Sequence, residues 1–149
     1  MSARIKIDKA LPEVYKAMYA LTGASANTAL TVTHRELIKI RASQINGCAF
    51  CIDMHTKDAR KAGETEQRIY GLSAWRDTPF YTEQERALLA LTEEVTLISK
   101  GGVSDETYKN AVAVTDENYV VSAIAAIVII NAWNRIAIGT QLEPIIANK

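Results

Sequence analysis

Two cysteines three residues apart, with a histidine four further on, stand in the stretch GCAFCIDMH at residues 47 to 55. The chain has only two cysteines and two histidines, so most of its reactive side chains fall in these nine residues. On a helix, Cys48 and Cys51 share one face and His55 lies one turn beyond Cys51. The thiolate is the reactive species, and an ordinary cysteine with a pKa of about 8.5 is mostly protonated at neutral pH. A helix start just after Gly47 favours negative charge on the sulfurs. A histidine at i+4 can take the proton of Cys51 or hold its thiolate as an ion pair. The second thiol lets an oxidised sulfur collapse to a disulfide before it over-oxidises. Three readings are open at this point. The stretch is a dithiol redox site, part of a zinc site in which Cys48, Cys51 and His55 await a fourth ligand, or a segment with two small buried apolar residues.

The rest of the chain must position these groups. At 149 residues with 48% apolar content it is long enough for one domain, residues 1–149, with a single sizeable core. The formal net charge is zero, and no basic run suggests nucleic-acid binding. The N-terminal stretch MSARIKIDKALPEVYKAM has no long apolar region of the secretory type. A cytoplasmic location is therefore expected, where a CxxC is more often catalytic or metal-binding than a structural disulfide. The most apolar stretch, Tyr119 to Trp133, is short for a membrane span and reads as a buried helix.

The apolar spacing predicts an all-α fold. Leu11, Val14, Tyr15 and Met18 form one stripe of a first helix. Thr33 and Glu36 have the spacing of a capping box ahead of Leu37, Ile40 and Ile45, with a break at Asn46-Gly47. A helix is expected from about Cys48 to Ala62, stopped by Gly63. EQRIYGL makes a short helical turn, and Thr82 and Glu85 form a second capping box before Leu88, Leu91, Val95 and Ile98. Gly101-Gly102 stop that helix, Ser104 caps the next, and the last spans about Glu117 to Ile138, closed by Gly139. The only weak strand pattern is ALTVT at 29 to 33. Glu36 thus has a local role as partner of Thr33, competing with a role in chemistry. His34 reads as a surface residue at a helix start. Tyr15 and Tyr19 read as packing residues. Trp133 and Arg135 could line the pocket or an interface, though Trp on an apolar helix is more often core packing, and Arg135 calls for an acidic partner, in its own chain or across a subunit boundary.

ELIKIRASQINGCAFCIDMH closely resembles the signature of the AhpD-like alkylhydroperoxidases, within the carboxymuconolactone decarboxylase superfamily. Glu36 stands twelve residues before Cys48, and Arg41, Ser43 and Asn46 match as well. INAWNRIAIGTQLEP resembles the family's C-terminal Asn-x-Trp-Asn-Arg helix, and LPEVYKAMYAL the opening helix of its small one-domain members.

The resemblance implies a compact helical domain of about six to seven helices, assembling as trimers or hexamers. It also implies a peroxidase that reduces hydrogen peroxide or organic hydroperoxides and needs an external dithiol reductant but no cofactor. By that resemblance Cys51 is peroxidatic, Cys48 resolving, and His55 with Glu36 the proton relay. The relay fits the helical geometry, which sets Cys51 at i+4 from His55, whereas the helix dipole favours Cys48. A general base acts directly on the proton, while the dipole contributes typically below about 1 kcal/mol at an exposed site, so the relay decides. Characterised members carry a further histidine directly before the second cysteine. Phe50 stands there in this sequence and makes the pocket more apolar. The CxxC itself points away from the decarboxylase branch. The alternatives are a general disulfide reductase and a redox-sensing or metal-binding helical oligomer without peroxidase turnover.

Overall fold

The computed structural model describes residues 4–146. It consists of eight α-helices and two short 3-10 segments, with no strand among the described residues. The helices are α1 (Ile7–Ala10), α2 (Pro12–Ala26), α3 (Val32–Asn46), α4 (Ala49–Lys61), α5 (Glu66–Gly71), α6 (Glu83–Thr96), α7 (Asp105–Val114) and α8 (Glu117–Gly139). The one beyond expectation is α1, a single turn whose backbone ties into the start of α2. The weak strand pattern at 29 to 33 is overridden: Thr31 caps α3, and Val32 and Thr33 are already helical.

Helix α3 is the hub, packing on α4, α6 and α8, while α6 also packs on α7 and α8. The inner faces of α3, α6 and α8 meet in a core of Ile38, Leu88, Leu91, Val120, Ala123 and Ile127. A second cluster, with Leu37, Ile40, Leu72, Trp75 and Leu89, closes the other side of α3. Burying such side chains supplies roughly 1.5–3 kcal/mol each, which offsets the entropy of ordering them.

The local signals set most boundaries. Thr82 and Glu85 form a reciprocal capping box at α6, and Ser104 caps α7 by accepting the Thr107 N–H. Helix α4 ends at Lys61, with Gly63 in the left-handed region. One signal misled. The cap of α3 is Thr31, whose Oγ1 accepts the His34 N–H at 3.2 Å, not Thr33. Starting the helix there releases the Glu36 carboxylate from any capping duty.

By length and composition α8 could cross a bilayer, and it is longer than the apolar stretch alone suggested. Its inner face nonetheless packs on α3, α6 and α7, and it carries a buried Asn134. Those are the features of a core helix. Its outer face keeps Val121, Val128 and Ile138 exposed, and α2 with its N-cap exposes Leu11, Val14 and Tyr19. The predicted stripe on α2 is therefore only half used, with Tyr15 and Met18 turned toward the protein.

Candidate functional site

The link between α3 and α4 places the two cysteines. Gly47 ends α3 at φ 70°, a left-handed conformation that favours glycine, and the Cys48 N–H returns to the Ser43 carbonyl at 3.0 Å. This turn delivers Cys48 as the cap of α4, where its Sγ accepts the Cys51 N–H at 3.3 Å. Cys48 and Cys51 are joined as a disulfide and both are buried. Along α4 the buried positions are Cys51, His55 and Ala59, one stripe at helical spacing.

Helix α3 brings Glu36 to this stripe across nineteen residues of sequence. His55 Nδ1 lies 2.9 Å from Glu36 Oε2, and Lys39 Nζ donates to Glu36 Oε1 at 2.8 Å. Burial works against the charge on Glu36, but the His55 hydrogen bond and the Lys39 ammonium outweigh it and hold the carboxyl below its usual range. An ionised carboxylate only accepts hydrogen bonds, so His55 Nδ1 carries the proton and donates. That leaves Nε2 as the ring nitrogen that can exchange a proton with the cavity side. The sign follows from the direction of the shift. Glu36 stays charged as pH falls through the ordinary carboxylate range and loses its charge only below it.

A cavity of about 580 Å³ opens against this site, its wall including Phe50, Cys51, Met54 and His55 from α4. Its volume lies within the range of small-molecule sites, roughly 300–1,000 Å³. Ile129, Ile130 and Trp133 of α8 line the opposite wall, joined by Tyr15 and Tyr19 of α2. The three aromatic rings pack edge to face, with centroids 4.9–5.8 Å apart, and Trp133 Nε1–H donates to Thr22 Oγ1. The hydrogen bond from Tyr15 to Tyr19, helped by burial, pushes the Tyr15 hydroxyl up to about 12 and keeps that hydroxyl protonated. Tyr15 and Tyr19, read from the sequence as packing groups, face the cavity, and Trp133 takes the pocket-lining alternative. Only an i+3 spacing from Glu36 marked Lys39, which lines it too.

Behind the turn, Asn46 Nδ2 donates to Asn131 Oδ1 and Asn134 Oδ1, and Asn134 Nδ2 donates to Ser43 Oγ. Asn134 is fully buried, where an unpaired amide would cost about 1–3 kcal/mol. These bonds fasten the turn that carries Cys48 to α8. Arg41 does the same toward α6, pairing with Glu93 at 2.8 Å. Arg135 is exposed and donates to the backbone and side chain of Asn131, with no carboxylate partner among the described residues of this chain. His34 is half-buried against Tyr119, 2.6 Å from its hydroxyl, and burial lowers its pKa.

Glu36, His55 and Asp58 hold possible ligand atoms within 4.8 Å of one another. Both Glu36 oxygens are already engaged, however, and the Lys39 ammonium beside them repels a cation. This arrangement suits proton transfer better than metal binding.

The sequence pattern of the Carboxymuconolactone decarboxylase family matches residues 12–94. The uncharacterized protein YdfG of Bacillus subtilis (strain 168) is 49% identical over 139 residues, spanning 93% of this chain and 95% of the relative. A crystal structure from Agrobacterium tumefaciens, of a protein of unknown function assigned to AhpD-type antioxidant defence, superposes with a TM-score of 0.95. It is 43% identical and covers 98% of this chain and 100% of that one. The AhpD core of an uncharacterized peroxidase-related protein from Ralstonia eutropha JMP134 shares the fold at a TM-score of 0.80. It is 20% identical, with 93% and 74% of the two chains covered. The helical architecture, the Glu36–His55 pair beside a CxxC disulfide and these matches agree: the chain belongs to the carboxymuconolactone decarboxylase family and is of AhpD-like type.

Proposed function

We propose that the protein is a thiol-dependent peroxidase that reduces hydrogen peroxide or organic hydroperoxides. The observation that carries this reading is the buried Glu36–His55 pair one helical turn from Cys51, with Cys51 and His55 both on the wall of one cavity. In the reduced protein His55 Nε2 takes the Cys51 proton. The thiolate attacks the terminal oxygen of ROOH, the S–O bond forms and the O–O bond breaks. Sulfur is oxidised by two electrons, and the departing alkoxide takes the proton from His55 to leave as ROH. Cys48 then attacks the Cys51 sulfenic acid, closing the disulfide and releasing water. An external dithiol reduces the disulfide and is itself oxidised, so the cycle converts ROOH and one dithiol into ROH, water and one disulfide.

The Cys48–Cys51 disulfide is compatible with this cycle and supports no metal bound by both thiolates in the same state. Reduced protein given one equivalent of cumene hydroperoxide should lose both thiols and yield one equivalent of the alcohol. Thiols that survive the hydroperoxide but exchange with a small disulfide would instead identify a disulfide reductase. The cycle requires a dithiol pool, consistent with the cytoplasm.

The same reading includes a homo-oligomer, a trimer or hexamer. Leu11 at the N-cap of α2 and Val121 and Val128 on α8 are each more than half exposed, apolar surface that a second copy can cover. Light scattering at micromolar concentration should return a multiple of the chain mass, and the mass of one chain would overturn this.

A further inference from the structure

Glu36 has two oxygens and each has its own partner. Oε2 faces His55, and Oε1 takes the Lys39 ammonium at 2.8 Å, with the Lys39 side chain only 17% exposed. Surface ion pairs contribute little and ordering a lysine costs rotamer entropy, so a half-buried pair at this position calls for an account. Lys39 stands one turn along α3 from Glu36 and lines the same cavity as Cys51 and His55, whereas Phe50 and Met54 present only apolar surface there.

The other ionisable groups around Glu36 are committed elsewhere. From α4, Asp58 pairs with Lys61 at 3.6 Å. Glu64, which borders a small recess shared with Glu36, pairs with Arg68 at 2.8 Å. His55 is the relay partner, and among the described residues it is Lys39 that brings a fixed positive charge to the carboxylate.

We propose that Lys39 is a positioning residue of the thiol site, acting through Glu36 to hold the carboxylate ionised and aimed at His55. His55 Nδ1–H is then bound by an anion, and Nε2 is the atom that receives the Cys51 proton. Lys39 keeps its own protons throughout and exchanges none with the thiol. Its consequence for turnover rests on the peroxidase reading above, but its effect on the thiol does not.

The test follows alkylation of Cys51 by iodoacetamide, read by mass spectrometry, in reduced full-length Cys48→Ser protein from pH 5 to 9. Lys39→Met should move the acid limb of the rate profile upward by roughly one pH unit, a loss of about tenfold on that limb. Without the ammonium Glu36 protonates at higher pH, so the anion that binds His55 Nδ1–H is lost sooner as pH falls and the limb moves up. Lys39→Arg should restore the original limb, and in a Glu36→Gln background Lys39→Met should shift nothing further. Lys39→Gln gives the same comparison if the methionine variant folds poorly.

Superimposed profiles for Lys39→Met and the unsubstituted site would overturn the proposal. So would failure of arginine to restore the limb, or an equal shift in the Glu36→Gln background. Hydroperoxide consumption by the wild-type chain is measured alongside. A chain that alkylates normally but consumes no hydroperoxide removes the peroxidase reading and leaves the Lys39 comparison intact.

Discussion

Cys51→Ser is expected to abolish hydroperoxide-driven oxidation of the reduced protein, while Cys48→Ser leaves a sulfenic acid on Cys51. The two cysteines share a disulfide, yet their surroundings differ. Cys51 lies inside α4, at i+4 from His55 and on the cavity wall. Cys48 caps the helix, and its sulfur accepts a backbone N–H. That bond and the helix dipole favour thiolate character at Cys48, but neither removes a proton, and Cys48 does not line the cavity. In Cys51→Ser the remaining thiol has no base aligned with it, so the rate should fall by at least about 10²-fold, the lower end of what a positioned base contributes. In Cys48→Ser the first step survives and only disulfide closure is lost. Dimedone should then label Cys51 stoichiometrically, and mass spectrometry of the adduct reads it. A dimedone adduct on Cys48 in the Cys51→Ser protein, formed at the wild-type rate, would reverse the assignment.

His55→Gln should slow the same reaction by roughly 10²–10⁴-fold at pH 7, and Glu36→Gln by less, about tenfold to a hundredfold. The difference follows from their positions. In the proposed cycle His55 receives the proton, whereas Glu36 acts one bond away through Nδ1 at 2.9 Å. A glutamine at 36 still accepts a hydrogen bond but supplies no charge, and it leaves the Lys39 ammonium beside a neutral group. Because the two act as one unit, the double variant should be no slower than His55→Gln alone. Stopped-flow thiol consumption in all three proteins checks this, with circular dichroism confirming that each is folded. Losses that multiply in the double variant would show that Glu36 acts independently of His55.

Much of the architecture was legible along the chain because its signals are local. Capping at Thr82 with Glu85 and at Ser104, and the stop at Gly63, arise from hydrogen bonds and backbone preferences within a turn. The alignment of Cys51 with His55 is equally local, since the helical period alone puts i and i+4 on one face. The same locality produced the error at Thr33. Thr31 and Thr33 both precede a helical run, and a shift of two residues in the cap decides whether Glu36 turns to the backbone or away from it.

What the tertiary structure decided lies across larger separations. Packing of α3 on α4 chose His55 over Thr33 as the partner of Glu36 and left its second oxygen to Lys39. Packing of α2 on α8 brought Tyr15 and Tyr19 against Trp133, joining residues more than a hundred positions apart into a cavity wall. It was also packing that tied Asn46, beside the CxxC turn, to Asn134 across 88 residues. Residue types and helical spacing determined that this chain carries a CxxC pair with a histidine one turn away. Which carboxylate orients that base, and what surrounds it, depended on how helices distant in sequence meet.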